Sequence, residues 1–515
     1  MIEGYDYEKK QYLVQGFKEG FRIHYDGGEF KPTCQNLKSA KEFPHIIKDK
    51  LQKELKAGRI AGPFITPPYN DYHTSPIGVV PKKEPGKFRM IHHLSHPKGL
   101  SINDGISPES STVQYATIAD AIGKIKQLGQ GCFLAKTDIE SAFRIVPIHP
   151  DDRKMLGLQW EGKLYFDKCL PMGLSESCKI FEELSTALEW VVASKFRSPG
   201  VVHVLDDFLF IARTKSECEA ILNSFQDMCS FIGIPLAPEK TFGPAQVLPF
   251  LGITLDSVNM EARLPKDKLV KCSELITRFK TRKKVTLKEL QSLIGTLQFA
   301  TTVVLPGRAF LRRLIDLTIG VHKSFHLLRL TMAAKADLIM WEEFLQGFNG
   351  SQFFLDERWL FSNNINFFTD SSFIGFGGLY QNQWFCGTWV PKVKEKRVNI
   401  AILELYPIVL AILAWGDQLK NKCIWFFTDN QALVPVINKQ SARDPFIMRL
   451  IRKLVLSCLQ YNILFKCVHV RGHDNLLADA LSRLQVEKFK KLCPSASPEP
   501  TPVQALLDQE LYLLH

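Results

Sequence analysis

The sequence predicts an α/β (α+β) protein with several domains. Its 515 residues are 45% hydrophobic and 23% charged, which supplies enough apolar material for more than one buried core. Residues 75–94 and 201–212 each have the pattern of a strand, a turn and a second strand. After about residue 362, apolar strand segments alternate with helical ones. Such alternation is typical of mixed sheets covered by helices.

Charge and cysteine content narrow the class of protein. The net charge is +12, which favours a polyanionic partner such as nucleic acid without proving one. The 12 cysteines are scattered and include no CxxC pair, so we expect reduced thiols and an intracellular location, cytoplasmic, nuclear or both. The sequence contains no long uninterrupted apolar stretch and no evident N-terminal signal, so we expect no association with a membrane.

Local patterns predict the elements of the first 300 residues. Residues 41–60 carry apolar side chains at helical spacing and end near Gly58, which predicts a surface helix. The stretch 75–94 predicts a hairpin with a Pro-Gly turn, and 201–212 predicts a second hairpin. Residues 285–300 predict an amphipathic helix, whose apolar face consists of Leu287, Leu290, Leu293, Ile294 and Leu297.

The last third of the chain has a different pattern of apolar residues. The segments "INFFTDSSFIGFGGLY", "KCIWFFTDN" and "ILFKCVHVRGH" have the pattern of buried strands, and "PFIMRLIRKLVLSCLQ" has that of a helix. Residues 494–504, "PSASPEPTPVQ", are rich in proline and serine, so we expect a flexible tail there.

Two adjacent acids, Asp206 and Asp207, lie between the apolar runs of "VVHVLDDFLFIA". Burying two like charges side by side is costly unless a divalent cation takes the carboxylates as ligands. A third acid, Asp138, ends the apolar strand in "GCFLAKTDIESAF". Acids from separate strands that converge on paired ions are what a two-metal mechanism of phosphoryl transfer requires. Taken singly, the pair fits a solvated turn and Asp138 fits a helix N-cap equally well.

Taken together, these motifs resemble a known family. The ordered set "SPIGVVPKKEPGKFRMI", "KTDIESAF", "LPMGLSESCKIF", "VLDDFLF", "LAPEKTF" and "LPFLGI" resembles the fingers and palm of a retroelement reverse transcriptase over about residues 75–255. The specificity of the match lies in the order and spacing of the motifs. The resemblance implies a right-hand polymerase fold with fingers, palm and thumb.

The resemblance implies a role for the three acids and their neighbours. Asp138, Asp206 and Asp207 would form the polymerase carboxylate set, with the Ile139 carbonyl beside the metal. Two Mg²⁺ ions would bind there, with Mn²⁺ as a substitute. Phe143 falls at the steric gate, where a bulky ring leaves no room for a 2′-hydroxyl. The competing interpretation of Phe143 is a core aromatic.

Further residues match the substrate-binding positions of the family. Lys82 and Arg89 would hold the incoming triphosphate, although an exposed, solvated hairpin would also carry such charges. Gly173 would permit close approach of template or nucleotide to the backbone. Lys240 matches a lysine near the triphosphate but is equally a plausible surface residue. The primer grip would consist of Phe250, Leu251 and Gly252.

The chain departs from the family pattern in two places. Val204 stands where relatives usually have the tyrosine of YxDD, which removes a hydroxyl but no ligand. His93 stands near where relatives often carry an aspartate. A zinc site formed by His92, His93 and His96 is a weak alternative, because no cysteine or fourth ligand lies nearby in the sequence.

A second set of acids follows in the last third of the chain. Asp370 and Asp429 end predicted strands, Glu404 lies at the predicted start of a helix whose first turns contain Pro407, and Asp479 lies on a closing helix. Four acids from two strand ends and two helices can converge on two Mg²⁺ ions. Each acid taken alone would fit a cap or a surface charge.

The order of these acids resembles a ribonuclease H domain of retroelement type over about residues 363–486, and the ending "LLADALSR" is typical of that group. The resemblance implies that Asp370, Glu404, Asp429 and Asp479 are metal ligands. His473 matches a mobile-loop histidine that assists product release or proton transfer, whereas His469 is expected to be structural.

The resemblance implies a bifunctional enzyme, an RNA-directed DNA polymerase that also degrades the RNA strand of an RNA–DNA hybrid. Its partners would be an RNA template, a DNA primer, the hybrid, dNTPs and other modules of the same element. The stretches 12–27 and 92–106 resemble the DIRS-type (tyrosine-recombinase) retrotransposon group. One alternative is a domesticated or assembly protein that binds hybrids without turnover. The other is an RNA-dependent RNA polymerase, which Phe143 and the second acidic set disfavour.

The predicted domains are an N-terminal helical extension (1–74), fingers and palm (75–262), a thumb (263–325), a connector (326–362), a ribonuclease H domain (363–486) and a flexible tail (487–515). The thumb helix and the basic stretch "RFKTRKK" (278–284) would follow the backbone of a hybrid duplex. The competing interpretation of that stretch is a solvated linker before a core helix.

Overall fold

The chain divides after Leu251 into two units, residues 1–251 and 252–515. The computed structural model describes residues 2–28, 35–82, 86–348, 352–353, 358–391, 393, 398–471 and 475–503. Within these ranges no helix is both long and apolar enough to cross a bilayer.

The first unit contains seven helices and ten strands within the described residues. The helices are α1 (Tyr7–Glu19), α2 (Lys38–Glu42), α3 (Pro44–Lys56), α4 (Pro108–Ser111), α5 (Ile118–Leu128), α6 (Ser177–Lys195) and α7 (Lys215–Ile232). The strands are β1 (Ile60–Phe64), β2 (Ile77–Pro81), β3 (Phe88–His92), β4 (Phe133–Asp138), β5 (Gly157–Trp160), β6 (Lys163–Asp167), β7 (Val201–Val204), β8 (Asp207–Ala212), β9 (Phe242–Ala245) and β10 (Val247–Phe250).

The central sheet of this unit has the strand order β7-β8-β4-β9, and its neighbouring strands are antiparallel. Every residue of β8 after Asp207 is buried, because helices α6 and α7 pack against the sheet. The ring of Phe225 on α7 lies 4.8 Å and 5.0 Å, between centroids, from Phe208 and Phe210. Burial of these aromatic rings anchors the strand that begins with Asp207.

Two smaller sheets complete the unit. Strands β2 and β3 form the predicted hairpin, and β1, β6 and β5 form an antiparallel sheet in that order. The N-terminal segment belongs to the core of the central sheet, in which Leu13 is buried. The Phe21 backbone N–H also donates to the Pro147 carbonyl at 2.9 Å. The predicted helix of residues 41–60 forms as α3.

The second unit contains nine helices and eleven strands within the described residues. The helices are α8 (Lys266–Thr281), α9 (Leu287–Ala300), α10 (Arg312–Asp316), α11 (Met332–Phe348), α12 (Ile400–Trp415), α13 (Leu433–Lys439), α14 (Pro445–Gln460), α15 (Leu476–Ser482) and α16 (Val486–Leu492). The strands are β11 (Ile253–Asp256), β12 (Glu261–Arg263), β13 (Lys284–Thr286), β14 (Leu327–Arg329), β15 (Gln352–Phe353), β16 (Trp359–Phe361), β17 (Phe367–Ser371), β18 (Gly375–Tyr380), β19 (Gln383–Thr388), β20 (Cys423–Thr428) and β21 (Leu464–His469).

The last third of the chain is a mixed α/β arrangement. Strands β17, β18 and β19 are antiparallel neighbours, whereas β16, β20 and β21 run parallel. Helix α12 is buried along most of its length, and α14 has the bounds that its pattern predicts. Pro407 lies inside α12 rather than in its first turn, which corrects the predicted helix start. Burial on all sides stabilises this helix despite the hydrogen bond that Pro407 cannot donate.

The expectation of a flexible tail is wrong for residues 487–503, which are ordered. Residues 486–492 form α16, and the segment that follows is hydrogen-bonded to the start of β19. The Trp384 indole Nε1 donates to the Ser497 carbonyl at 2.8 Å, and the Thr501 backbone N–H donates to the Trp384 carbonyl at 2.7 Å. Residues 494–499 contain turns and bends, and the neighbouring strand satisfies backbone groups that the segment cannot pair internally.

The basic stretch 278–284 is partly neutralised by ion pairs. Arg278 and Arg282 both contact the Glu289 carboxylate, at 2.8 Å and 2.6 Å, and Lys280 pairs with Glu342. These three charges therefore connect the end of α8 to its neighbours. Their ion pairs weaken the expectation that the whole stretch follows a nucleic-acid backbone.

Candidate active sites

The first acidic site lies where two central strands of the first unit meet. Asp138 is the last residue of β4, Asp207 is the first of β8, and the register pairs them directly. The Ile139 backbone N–H donates to the Asp206 carbonyl at 3.0 Å, which ties the turn to the end of β4. The strand pairing thus brings Asp138 together with two acids that lie about 70 residues later in the sequence.

A strained turn presents Asp206. Val204 pairs with Asp207, which leaves Leu205 and Asp206 as a two-residue loop. Leu205 has φ 53°, a left-handed conformation that a leucine rarely adopts. Strain of this kind persists only where the surrounding structure holds it, and it is concentrated at functional sites.

The electrostatics of this site favour a cation. Burial raises the pKa of Asp207 to about 6, with further contributions from the Asp138 and Asp206 charges. Burial and the Asp138 charge also raise the pKa of Asp206. Lys240 Nζ lies 2.7 Å from Asp138 Oδ1 and is the one side chain recorded in an ion pair with these acids among the described residues. One ammonium group leaves the three carboxylates with excess negative charge.

The predicted nucleotide contacts lie around these acids or on the fingers hairpin. The Phe143 ring is half-buried, and its edge contacts Phe181 with centroids 5.5 Å apart. Arg89 is exposed on β3, opposite Val80, and Lys82 is exposed just after β2. Lys240 contacts Asp138 directly, so its partner in this structure is an acid of the site. The roles of these residues toward a nucleotide remain predictions.

Gly173 is required by the protein itself. Its φ of 124° is unfavourable for other residues, and a Cβ at this position would lie 2.6 Å from the His92 carbonyl oxygen. Asn103 fixes the same loop, since its Nδ2 donates to the Gly173 carbonyl at 2.7 Å and its Oδ1 accepts from the Ser175 N–H at 2.9 Å. The close approach predicted for template or nucleotide is therefore already made by strand β3.

The zinc alternative at the histidines is wrong. His92 Nδ1 lies 3.0 Å from Asp167 Oδ2, and its Nε2 lies 3.1 Å from the Gly157 carbonyl. Both ring nitrogens of His92 are thus engaged in the core. Among the described residues, neither His93 nor His96 belongs to a group that could hold a metal ion.

The predicted primer-grip residues span the point in the sequence where the first unit ends and the second begins. Phe250 is buried, and Leu251 has φ 46°. In the second unit, Lys268 Nζ donates to the Gly252 carbonyl at 2.9 Å and occupies the space where a Cβ of residue 252 would lie. The absence of a side chain at Gly252 therefore leaves room for the Lys268 ammonium group beside the backbone.

The second acidic site lies in the second unit. Carboxylate oxygens of Asp370 on β17, Glu404 on α12 and Asp429 just after β20 all lie within 4.8 Å of one another. No other group of potential metal ligands among the described residues is this close together, and the acids of the first site do not reach this spacing. The two strands and the helix thus form a set of oxygen donors suited to a hard divalent cation.

Burial strongly perturbs these carboxyls. It raises the pKa of Glu404 to about 9, and the charges of Asp370 and Asp429 add to the shift. Burial likewise raises the pKa of Asp370 to about 7, against a lowering effect of the Ser482 hydroxyl. Without a cation, the burial and closeness of these acids favour their protonated forms.

The fourth predicted ligand, Asp479, lies on α15 outside the group of three. Its charge raises the pKa of Asp370, and its Oδ1 accepts from Arg483 Nε at 2.7 Å. His469 Nε2 lies 3.1 Å from the Asp429 carbonyl, in keeping with a structural role. His473 lies outside the described residues.

Three polar residues that support this site were not predicted. Ser371 Oγ donates to Glu404 Oε1 at 2.9 Å, and Ser482 Oγ donates to Asp370 Oδ2 at 2.6 Å. Asn475 Nδ2 donates to the Thr369 carbonyl at 2.9 Å and connects α15 to β17. Ser482 lies three residues after Asp479, one helical turn away, which is the only signal the sequence offers for it.

The acids of the first site lie in a segment that is similar to a known protein family. Residues 80–255 match the family model described as reverse transcriptase (RNA-dependent DNA polymerase), so this part of the chain is similar to that family. The Gag-Pro-Pol polyprotein of Human T-cell leukemia virus 3 (strain 2026ND) is 24% identical over 264 residues, which cover 50% of this chain and 16% of the polyprotein. The retrovirus-related Pol polyprotein from transposon opus of Drosophila melanogaster is 21% identical over 481 residues, 88% of this chain and 44% of the polyprotein.

The chain thus spans less than half the length of either polyprotein. Among solved structures, the foamy viral protease-reverse transcriptase dRH in complex with ds DNA has a TM-score of 0.51 and 17% identity, covering 90% of this chain and 79% of that one. The foamy viral protease-reverse transcriptase in complex with RNA/DNA hybrid has a TM-score of 0.50 and 17% identity, covering 90% and 61%. The fold is therefore that of a polymerase with a further domain.

Proposed function

We propose that the chain is an RNA-directed DNA polymerase whose second unit carries ribonuclease H activity. The observation that carries the polymerase is the convergence of Asp138, Asp206 and Asp207 at one sheet edge, within the residues that match the reverse transcriptase family. Convergent carboxylates from separate strands are what two-metal nucleotidyl transfer requires.

The residues of the first site fit Mg²⁺. They offer carboxylate oxygens and the Ile139 carbonyl, and a cation would offset the burial and neighbouring charges that raise the pKa of Asp207. A bound divalent cation would lower the pKa of the primer 3′-hydroxyl and neutralise charge on the triphosphate. We extend the same proposal to Mn²⁺ as a substitute.

The chain's own residues would orient the substrates around that site. Asp138 holds Lys240 at the rim, where the ammonium group lies near the expected position of the triphosphate. Lys82 and Arg89 project from the fingers hairpin and would bind phosphate oxygens. Phe143 would exclude a 2′-hydroxyl by the bulk of its half-buried ring.

The grouping of Asp370, Glu404 and Asp429 supports the proposed ribonuclease H. A divalent cation bound there would activate water and stabilise the leaving 3′ oxygen. Ser371 and Ser482 orient two of the carboxylates by hydrogen bonds, and Asp479 would complete the site from α15. His473 keeps its proposed role in product release or proton transfer.

The proposed partners are an RNA template, a DNA primer, their hybrid, dNTPs and other modules of the same element. The net charge of +12 supports polyanionic partners. We retain the DIRS-type retrotransposon group as the proposed origin, supported by residues 12–27 and 92–106. An intracellular location is proposed from the scattered cysteines, since those among the described residues are free.

The polymerase is tested by primer extension on a homopolymer RNA template with the matching dNTP and Mg²⁺. We expect incorporation that is lost in a chelator and in Asp207→Asn. The ribonuclease H is tested on a hybrid with labelled RNA, with Glu404→Gln as the inactive control. Binding of the hybrid without incorporation or cleavage would instead identify a non-catalytic binding protein.

A further inference from the structure

A chain of polar contacts connects helix α6 to the turn that carries Asp206. Glu182 on α6 accepts a hydrogen bond from the Leu205 backbone N–H, with 3.2 Å between Oε2 and N. The other oxygen of the same carboxylate, Oε1, lies 3.2 Å from His203 Nε2. His203 is the third residue of β7, two residues before Leu205, so helix and strand hold the loop from two sides.

The imidazole of His203 is held between two acids of the same helix. Its Nδ1 pairs with Glu189, two helical turns after Glu182. Its ring stacks on Phe208 with centroids 5.3 Å apart and an interplanar angle of 19°. The side chains of His203 and Glu182 are only 7% and 13% exposed, so solvent screens this contact weakly.

The backbone at Leu205 needs such support. Its φ of 53° places a branched side chain in a left-handed conformation that is unfavourable unless the surrounding structure holds it. The Leu205 N–H donates to a side chain rather than to another backbone group, so Glu182 supplies the acceptor within this turn. If Glu182 moves, the next two residues, Asp206 and Asp207, lose the geometry that the turn imposes.

We propose that Glu182 is a positioning residue for the Asp206–Asp207 turn, and that His203 holds the Glu182 carboxylate in place. This inference rests on the proposed polymerase function and adds residues outside the three acids. Neither side chain reaches the reacting atoms in this account. Their effect passes through the Leu205 backbone.

Two physical consequences follow from this arrangement. Without His203, the Glu182 and Glu189 carboxylates face each other in a half-buried space and repel. Without the Glu182 oxygen, the strained turn can relax, and displaced metal-ligating acids slow the chemical step. Loss of residues that orient metal ligands typically costs roughly 10–100-fold in activity or metal affinity.

The test compares Glu182→Ala, Glu182→Gln and His203→Gln in the full chain, with Glu183→Ala as the control. Glu183 is the next residue of α6 but pairs with Lys9 at 3.1 Å, away from the turn. The first readout is hydrogen exchange of the peptide that contains Leu205. The second is the single-turnover rate of dNTP incorporation per active enzyme, with active enzyme counted from the burst amplitude.

We expect Glu182→Ala and His203→Gln to accelerate exchange at the turn and to lower the rate per active enzyme by roughly 10–100-fold. Glu182→Gln should recover most of the exchange protection, because its amide oxygen still accepts from the Leu205 N–H. Glu183→Ala should match the wild type in both readouts. A purely structural role would lower the burst amplitude and leave the rate unchanged.

The proposal is overturned if exchange at the turn is unchanged in both Glu182→Ala and His203→Gln, or if Glu183→Ala has the same effects. It is also overturned if exchange rises while the rate stays constant. If the wild type incorporates no nucleotide, the proposed function fails, whereas the exchange experiment still decides whether Glu182 holds the turn.

Discussion

At the scale of single residues, both sites bury acids whose ionised forms the protein alone does not stabilise. Asp207 in the first unit and Glu404 in the second have carboxyl groups whose pKa burial and neighbouring acids raise to about 6 and about 9. Protein folding normally avoids such grouping of acids. The two sites therefore have the electrostatics expected of cation-binding centres.

The pKa of Glu404 gives a prediction about stability. In the metal-free protein the folded state keeps a proton on Glu404 up to about pH 9, whereas the unfolded chain loses it near pH 4.5. This contribution to stability is complete below about pH 4.5 and is lost as the pH rises toward 9. Glu404→Gln should therefore raise the Tm of metal-free protein at pH 8 by about 2–5 °C, with little change at pH 5.

Thermal unfolding with and without Mg²⁺ checks this prediction. Mg²⁺ should raise the Tm of the wild type by more than that of the Glu404→Gln variant, which loses a ligand of the second site but keeps the first site. The exposed Glu487 on α16 supplies the control, since Glu487→Gln should leave the metal-free Tm unchanged. A lower Tm for metal-free Glu404→Gln at pH 8 would contradict the electrostatic account of this site.

Phe143 gives a second prediction at this scale. Phe143→Ala should reduce discrimination between dNTPs and rNTPs by at least about 10-fold, because a smaller side chain admits the 2′-hydroxyl. The measurement is the ratio of kcat/KM for the two nucleotides. Phe231→Ala, at a position that is 82% exposed on α7, is the control. Unchanged discrimination would show that Phe143 serves only as a core aromatic against Phe181.

The acids of the two sites were easier to predict from the sequence than the side chains that contact them. Asp138 and Asp206 lie together because strand ends and hairpin turns follow from local apolar patterns. The contacts of Ser482 with Asp370 and of Lys240 with Asp138 span more than 100 residues each. Local pattern contains no information about such pairs, so their roles emerge only from the fold.

At the scale of elements, a buried ionic contact joins three helices of the second unit. Asp337 on α11 is fully buried, and its two oxygens lie 2.9 Å from Arg313 on α10 and 2.8 Å from Arg452 on α14. Arg313 also donates to the Ala442 carbonyl at 3.3 Å. The connector helix α11 is thus attached to the elements on both sides of it in the sequence.

Removal of the central acid should destabilise this unit. Asp337→Ala leaves two partly buried guanidinium groups without their partner, which costs up to about 3–5 kcal/mol. Asp316→Asn removes an exposed pair with Arg312 on the same group of helices and should cost about 0–1 kcal/mol. Chemical denaturation measures both values. Equal effects of the two substitutions would contradict the importance assigned to Asp337.

Elements with a clear apolar stripe were predictable, and others were not. Helix α14 has the bounds expected from its periodicity, whereas α12 is buried nearly all round and offers no polar face to mark its phase. Pro407 therefore suggested a helix start that tertiary packing overrides. The tail up to Val503 was misjudged for a related reason, since its order comes from hydrogen bonds to β19 and not from its own composition.

At the scale of the whole molecule, each unit contains its own acidic site. Asp206 lies in the unit that ends at Leu251, and Asp370 lies in the unit that follows. Separate units allow two chemistries on one chain without a shared ligand. In the sequence, the polymerase-like set of motifs likewise ends before the second set of acids begins.

The central claim is that these two sites act independently, and one measurement tests it most directly. Asp206→Asn and Asp370→Asn are each assayed for primer extension and for cleavage of RNA in the same RNA–DNA hybrid with Mg²⁺. The account predicts that Asp206→Asn loses extension and keeps cleavage, while Asp370→Asn loses cleavage and keeps extension. Loss of both activities in either folded variant would contradict it.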